Sequence, residues 1–252
     1  MTRIILHGCM GKLGTAIHAL AKNDPHCEIV CGVDIAGSGD GLAFPVYSDI
    51  SLCNQDADVI MDCSVVSAVP ALLKFGQARK LPTIVCTTGL PQEILSEIEK
   101  TAESIAILRS ANMSLGINLL ENMVGRAAKL LGDFDIEIIE KHHKQKVDAP
   151  SGTALVLADA VNRALGGDME YKYDRTEARK KRGGNEIGIH SLRGGTIIGE
   201  HSVVFAGLDE VIEFKHQVYS KEVFAVGALK AARFMHGRAP GCYSMQDMID
   251  DV

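Results

Sequence analysis

Residues 140–154, with the sequence EKHHKQKVDAPSGTA, bring together side chains that could do chemistry: two adjacent histidines, three lysines and a Pro-Ser-Gly-Thr turn within fifteen positions. An imidazole or an ammonium group can donate a proton to a reacting molecule. Cationic side chains and the free N–H groups at the start of a helix can bind a carboxylate. The segment therefore predicts a site for a carboxylated small molecule, with a proton donor beside it.

The elements on either side would position these groups. Alternating residues over 134–138 predict a strand, and apolar residues at three- and four-residue steps over 154–165 predict a helix. Ser151 is a favourable N-cap, which would leave the N–H groups of Gly152 and Thr153 free to hold an anion. Taken alone, a run of lysines and histidines between two elements is also typical of a solvated loop.

A second candidate site lies near the N-terminus, where a short apolar strand over residues 3–7 runs into a glycine-rich turn. Gly8 permits the tight turn, Gly11 lets the backbone approach a pyrophosphate, and Gly14 lets the following helix pack on the strand. The spacing is GxxGxxG rather than GxGxxG. Asp34 ends the second strand, where an acidic residue can accept a hydrogen bond from a ribose 2′-hydroxyl. Strand, turn, helix and acid in this order predict a nucleotide site.

Composition excludes several classes of protein. The chain has 252 residues, 46% hydrophobic and 23% charged, as in ordinary globular enzymes. A net charge of −6 and the absence of a basic stripe with aromatic residues argue against a nucleic-acid partner. No apolar run approaches the roughly 20 residues that span a bilayer. We therefore expect neither nucleic-acid nor membrane binding, and we see no signal peptide.

The cysteines indicate the compartment. They are odd in number, form no C-x-x-C pair and lie mostly in or beside predicted strands; they stand at positions 9, 27, 31, 53, 63, 86 and 242. We interpret them as free thiols in a reducing compartment, the cytoplasm, and expect no metal site.

Strands and helices alternate over residues 1–113, which predicts a Rossmann-like α/β domain with a parallel sheet. Further strands are predicted at 59–63, 82–86 and 105–108, and helices at 70–79 and 91–103. Ligands bind such sheets at the carboxyl ends of the strands. Three short, small and polar segments leave those ends and would line a cofactor cleft: residues 62–64, 87–89 and 110–114.

The pattern changes over residues 114–220. A helix over 115–131 is followed by the strand and helix described above, by a polar stretch, and by β-rich runs at 186–193, 196–206 and 210–219. These runs lack intervening helices, which predicts a second, α+β domain with an open mixed sheet. Pairing between subunits is one way to cover its edge. A last helix, within 221–252, is expected to return to the first domain.

Together these motifs resemble the 4-hydroxy-tetrahydrodipicolinate reductase family, also called dihydrodipicolinate reductase, of lysine and diaminopimelate biosynthesis. The resemblance covers essentially the whole chain. It is carried by residues 140–154, by the N-terminal glycine turn, and by the segments Thr-Thr-Gly (87–89), Ala-Asn-Met-Ser (111–114) and Gly-Gly-Thr-Ile-Ile-Gly-Glu-His (194–201).

The resemblance implies reduction of a cyclic unsaturated imine dicarboxylate to tetrahydrodipicolinate by a nicotinamide hydride. It implies that His142 and Lys146 are catalytic, with Lys146 the proton donor. The substrate-binding candidates are His143, Ser151, Gly152 and Thr153. The cofactor-binding candidates are Gly8, Cys9, Met10, Gly11, Lys12, Leu13, Asp34, Cys86, Thr87, Thr88, Ser110, Ala111, Asn112 and Met113. A homotetramer assembled through residues 114–220 is also implied.

Three residues depart from the pattern of the family. Cys86 stands where many relatives have glycine, and Val65 where some have arginine. Ile35 follows Asp34, whereas relatives that use both cofactors often carry a basic residue there. Because Asp34 would repel a 2′-phosphate and Ile35 offers no cation, we expect NADH to be preferred, with NADPH possible.

Two other functions are compatible with parts of the sequence. A non-catalytic dinucleotide-binding redox sensor would keep the glycine turn and Asp34 but would not need His142 and Lys146. An aspartate or homoserine dehydrogenase could share the scaffold, but the His-His-Lys and Ser-Gly-Thr combination argues against it. The reductase is therefore the leading hypothesis.

Overall fold

The computed structural model describes residues 1–37, 39, 41–176 and 180–251. The chain divides into two compact units. Unit 1 comprises Met1–Leu115 and Glu222–Val252, and unit 2 comprises Gly116–Lys221. The helix over Glu222–Met235 thus belongs to the same unit as the N-terminal strands.

Unit 1 is built around a seven-stranded parallel sheet. Its first part contains β1 (Thr2–His7), α1 (Lys12–Ala21), β2 (Cys27–Val33), β3 (Val46–Tyr47), β4 (Val59–Asp62), α2 (Val69–Arg79), β5 (Thr83–Val85), α3 (Gln92–Ala102) and β6 (Ala106–Arg109). The C-terminal part adds α6 (Glu222–Met235), β12 (Gly241–Tyr243) and α7 (Met245–Asp250). The strand order is β12-β6-β5-β4-β1-β2-β3.

β1, an inner strand of this sheet, is buried on both faces, as expected when helices cover a parallel sheet. Ile4 and Leu6 of β1 pack in one core cluster with residues of α1 and α6. Ile5 points to the other face, into a cluster with residues of α2 and α3. This alternation explains why the strand reads as a continuous apolar run.

Unit 2 contains a five-stranded mixed sheet of order β11-β10-β7-β9-β8. Its elements are α4 (Leu115–Leu130), β7 (Asp135–His142), α5 (Gly152–Ala164), β8 (Glu170–Lys172), β9 (Glu186–Arg193), β10 (Gly199–Ala206) and β11 (Val211–Val218). β7 pairs parallel to β9 and antiparallel to β10. Residues of α4 and α5 share one core cluster with the inner face of this sheet.

The predicted fold class, a Rossmann-like domain with a second mixed-sheet domain, is confirmed. The prediction for β7 was too short, because the strand continues to His142. The two- and three-residue strands β3, β8 and β12 were not predicted. No helix in the described ranges is both long and apolar enough to cross a membrane.

Candidate active site

The glycine turn of unit 1 is closely packed, and at two positions the neighbouring backbone leaves no room for a side chain. Gly8 has φ +79°, and a Cβ there would lie 2.7 Å from the Cys63 carbonyl carbon. A Cβ at Gly14 would lie 2.2 Å from the Gly8 carbonyl oxygen. Gly11 is the N-cap of α1. The turn thus brings backbone against backbone at a helix start, which suits a phosphate group.

Asp34 lies directly after β2 and reaches this turn. Its carboxylate accepts hydrogen bonds from the N–H groups of Met10, at 3.0 Å, and Ala36, at 3.0 Å. Ile35 is 92% exposed, so it offers solvent only an apolar side chain. The structure therefore brings the predicted acid and the predicted glycine turn together.

The remaining cofactor candidates lie in unit 1 in three groups. Lys12 and Leu13 form the first turn of α1. Cys86, Thr87 and Thr88 follow β5, with Cys86 and Thr87 buried and Thr88 exposed. The last group follows β6, where the Ser110 hydroxyl donates to the Asn112 carbonyl oxygen at 2.8 Å; its members are Ser110, Ala111, Asn112 and Met113. Because β5 and β6 are adjacent parallel strands, the last two groups leave the same edge of the sheet.

A buried carboxylate ties these strand ends together, and the sequence had indicated only a polar segment here. Asp62 has no exposed surface. It interacts with Nδ1 of His7 at 2.9 Å, and it accepts hydrogen bonds from the hydroxyls of Ser64, at 2.5 Å, and Thr87, at 2.6 Å. Asp62 thereby links the ends of β1, β4 and β5, including one cofactor candidate.

In unit 2 the predicted catalytic histidine stands at the end of a buried strand and not in a solvated loop. Alternate residues of β7 point inward, and this set ends with Glu140 and His142, which are 0% and 8% exposed. The Glu140 carboxylate lies 2.6 Å from Nδ1 of His142. Arg193 of β9 donates two hydrogen bonds to the same carboxylate, at 2.8 and 2.6 Å. This ion pair explains how a charged residue can be buried here.

The predicted anion cradle forms the start of α5. Ser151 is its N-cap, and the serine hydroxyl accepts from the N–H group of Ala154 at 3.2 Å. A Cβ at Gly152 would meet no atom within 4 Å, so this backbone is open to a ligand. Thr153 occupies the second helical position. The N-cap prediction is confirmed.

Two residues that the sequence analysis did not identify as site residues, Glu140 and His201, contact Ser151 in the predicted anion cradle. Glu140 accepts a hydrogen bond from the N–H group of Ser151 at 3.1 Å, so it contacts both the histidine and the cradle. His201 of β10 lies 3.0 Å from the Ser151 hydroxyl through its Nε2. The only signal in the sequence was that Glu140 lies in the motif of residues 140–154 and His201 in that of residues 194–201.

The other two candidates lie in the loop between β7 and α5. Lys146 pairs with Asp148 at 2.9 Å, and the lysine side chain is 23% exposed. His143 directly follows β7, and its buried Nδ1 has no hydrogen-bond partner among the described residues. Unit 2 therefore brings the catalytic and substrate-binding candidates into one loop, one strand end and one helix start.

The pKa values of the titratable groups in this cluster are shifted from their usual values. Burial raises the pKa of the Glu140 carboxyl, but the hydrogen bonds from Arg193 and His142 outweigh it and hold the pKa at about 2. Burial lowers the pKa of His142, and the bond to Glu140 opposes that shift. Burial also lowers the pKa of His201, to about 4. The cluster thus holds a carboxylate that stays charged at neutral pH beside an imidazole whose pKa lies below its usual value.

No group of three or more His, Cys, Asp or Glu side chains in the described part of the chain is arranged to hold a metal ion.

Comparison with known proteins decides the family. The N-terminal profile of dihydrodipicolinate reductase matches residues 2–113, and the C-terminal profile matches residues 116–249. A 4-hydroxy-tetrahydrodipicolinate reductase from Caldanaerobacter subterraneus subsp. tengcongensis is 52% identical over 249 residues, which cover 99% of this chain and 98% of that protein. The chain belongs to the dihydrodipicolinate reductase family.

Further relatives extend this result. The 4-hydroxy-tetrahydrodipicolinate reductase of Clostridium tetani is 48% identical over 251 residues, covering 99% of this chain and 98% of the relative. The dipicolinate-bound dihydrodipicolinate reductase from Paenisporosarcina sp. TG-14 has the same fold, with a TM-score of 0.84, 23% identity, and coverage of 98% and 99% of the two chains.

Members of the dihydrodipicolinate reductase family are oxidoreductases that use a nicotinamide dinucleotide. The predicted enzyme class is therefore confirmed. The same relatives favour the reductase over the non-catalytic redox sensor.

Proposed function

We propose that this chain reduces a cyclic unsaturated imine dicarboxylate to tetrahydrodipicolinate, with unit 1 binding the dinucleotide and unit 2 the substrate. The observation that carries this proposal is the arrangement in unit 2. There, a buried histidine at a strand end and an open helix start contact the same carboxylate. These are the two parts that reduction of a dicarboxylate imine needs: a group that handles a proton and a cradle for anionic oxygens.

The residues of unit 1 fit a nicotinamide dinucleotide. Gly8 and Gly11 would lie against its pyrophosphate, Asp34 would accept from its ribose hydroxyls, and the segments after β5 and β6 would line the rest of its site. When bound, the reduced dinucleotide supplies a hydride. We further propose a preference for NADH, supported by the carboxylate of Asp34 and by the apolar, exposed side chain of Ile35.

In unit 2, addition of a hydride leaves an enamine-like product that must take up one proton. His142 and Lys146 are the proposed groups that hold and deliver it. The substrate carboxylates would bind at the start of α5 through the N–H groups of Gly152 and Thr153, with Ser151 and His143 beside them. Dipicolinate, which the Paenisporosarcina protein binds, carries the same pair of carboxylates and should compete for this cradle.

Assembly and location complete the proposal. β11 is an edge strand of the sheet; Val211, its first residue, is 65% exposed, and Tyr219, which directly follows it, is 81% exposed. Pairing with another copy would cover this edge, which supports a homotetramer formed through unit 2. All seven cysteines are free thiols, which supports a location in the cytoplasm.

The test is turnover with enzymatically generated substrate, followed by the loss of reduced-nicotinamide absorbance. We expect oxidation of NADH that depends on the substrate, with slower oxidation of NADPH. Failure of the wild-type chain to oxidise either dinucleotide with this substrate would refute the proposed function.

A further inference from the structure

The Glu140 carboxylate contacts both parts of the proposed site in unit 2, His142 and the start of α5. One oxygen, Oε2, lies 2.6 Å from Nδ1 of His142 and accepts from Arg193 at 2.8 Å. The other oxygen, Oε1, accepts from the N–H group of Ser151 at 3.1 Å and from Arg193 at 2.6 Å. The side chain has no exposed surface and is also hydrogen-bonded to Ser191, so it acts only through the residues that surround it.

The contact with Nδ1 fixes which nitrogen of His142 can serve a ligand. Because a carboxylate accepts hydrogen bonds, Nδ1 carries a proton, and Nε2 is the atom left to gain or lose one. Nε2 also has room on one side. A Cβ at Gly199 would lie 3.2 Å from it, so the glycine keeps that space open.

Arg193 fixes the carboxylate itself. Its two hydrogen bonds to Glu140 set the plane of the carboxylate, and it also donates to the Asp148 carbonyl oxygen at 2.6 Å, in the loop that carries Lys146. Removing Arg193 would leave the Glu140 carboxylate buried without its cationic partner, which is strongly destabilising.

We propose that Glu140, held by Arg193, is a positioning residue that sets the tautomer of His142 and places the Ser151 N-cap, so that one buried charge aligns the proton-handling group with the carboxylate cradle. This inference rests on the proposed function and extends it to residues that need not touch the substrate. It predicts that both the proton step and dicarboxylate binding depend on Glu140.

Glu140→Gln tests the proposal, because glutamine keeps the shape and removes the charge. We expect kcat to fall at least about tenfold and dipicolinate to inhibit less well, as when an orienting carboxylate is removed from a catalytic histidine. We also expect the limb of the pH–kcat profile that reports His142 to move to lower pH, since Glu140 favours the charged imidazolium. The groups that face His142 are Glu140, Arg193, Lys146 and His201, and the variant changes only the first.

Glu200→Gln is the matched control. Glu200 is a buried carboxylate of the same sheet, and its ion pairs are with Lys141 at 2.5 Å and Lys215 at 3.0 Å rather than with His142, Lys146 or Arg193. If the role of Glu140 were purely structural, both variants would lose stability and neither would move the pH limb that reports His142. That result, or a wild-type kcat in a folded Glu140→Gln variant, would overturn the proposal.

If Glu140→Gln does not fold, Glu140→Asp keeps the charge and shortens the reach. We expect this variant to lose at least about tenfold in kcat, because the carboxylate can no longer hold His142 and Ser151 together. Wild-type turnover in Glu140→Asp would overturn the proposal. Absence of turnover in the wild type would instead refute the proposed function.

Discussion

Among the described residues, each unit buries one carboxylate completely, and the two are held in different ways. Asp62 in unit 1 is surrounded by hydroxyls, a backbone N–H group and His7. In the described part of the chain, no lysine or arginine bonds to Asp62. Glu140 in unit 2 has a two-pronged ion pair with Arg193 as well as a histidine.

The difference follows from what each cluster holds in place. Asp62 joins the ends of three parallel strands, where short polar side chains are close enough to satisfy it. Glu140 joins a strand end to a helix start and lies between His142 and the proposed carboxylate cradle, where Arg193 holds it in its charged form. A guanidinium stabilises that charge without needing to change protonation state. We therefore expect loss of the unit 2 cluster to affect the proton step and loss of the unit 1 cluster to affect dinucleotide binding.

The largest expected effect is on turnover in unit 2. His142→Ala or Lys146→Ala should lower kcat by roughly 10²–10⁴-fold, the usual contribution of a general acid and its electrostatic support. Dinucleotide affinity should change little, because both residues belong to unit 2. Steady-state kinetics and NADH titration would measure the two quantities. Lys144→Ala is the control for the loop, and near-normal turnover in both variants would rule out the assignment.

The second effect concerns stability at acid pH. Since the pKa of Glu140 is depressed from 4.5 to about 2 in the folded chain, its charge stabilises the fold above pH 4.5, and this contribution is lost as the pH falls towards 2. The contribution is on the order of 3 kcal/mol. Urea unfolding of wild type and Glu140→Gln should show a difference that shrinks over this range. A difference independent of pH would contradict the ion-pair account of Glu140.

The third effect concerns the unit 1 cluster. Asp62→Asn should lower the free energy of unfolding by about 1–3 kcal/mol, because the amide cannot accept from all the donors that now meet the carboxylate. It should also raise the KM for the dinucleotide, since Thr87 loses its anchor. Asp56→Asn, at an exposed position of the same unit, is the control. A changed KM for the dicarboxylate with an unchanged KM for NADH would contradict the assignment of the dinucleotide to unit 1 and the dicarboxylate to unit 2.

The smallest effect concerns the choice of cofactor. Asp34→Ser combined with Ile35→Arg should shift the NADH to NADPH preference towards NADPH by at least about tenfold, or some 1.4 kcal/mol. The change removes a repelling carboxylate and adds a guanidinium that can bind a 2′-phosphate. Comparison of kcat/KM for the two dinucleotides would measure it. Equal or better use of NADPH by the wild type would show that another cation governs the choice.

Much of unit 1 could be predicted because parallel strands leave a simple signal. A strand buried on both faces is continuously apolar, as in Ile4 and Ile5, and turns rich in glycine mark its end. The short strands β3 and β12 give no such signal, because two or three residues show no period. These strands form because they pair with other strands of the sheet, β3 with β2 and β12 with β6.

The candidate site of unit 2 was harder to predict in detail. Glu140 and His142 continue the inward alternation of Ile136 and Ile138, but their polarity favoured a loop. What makes their burial possible is Arg193, 53 residues away in sequence from Glu140. Such a partner becomes evident only when the sheet register places β9 beside β7. The N-cap at Ser151, in contrast, depends on local sequence and was predicted correctly.

Binding of dipicolinate and of NADH to wild type and to Thr153→Val, measured by titration calorimetry, tests the division between the two units most directly. Thr176→Val, a surface threonine of the same unit, is the control. We predict that Thr153→Val weakens dipicolinate by about 1–3 kcal/mol, the cost of an unpaired charged acceptor, and leaves NADH affinity unchanged. Unchanged dipicolinate affinity, or a loss confined to NADH, would contradict the assignment of the dicarboxylate to the start of α5.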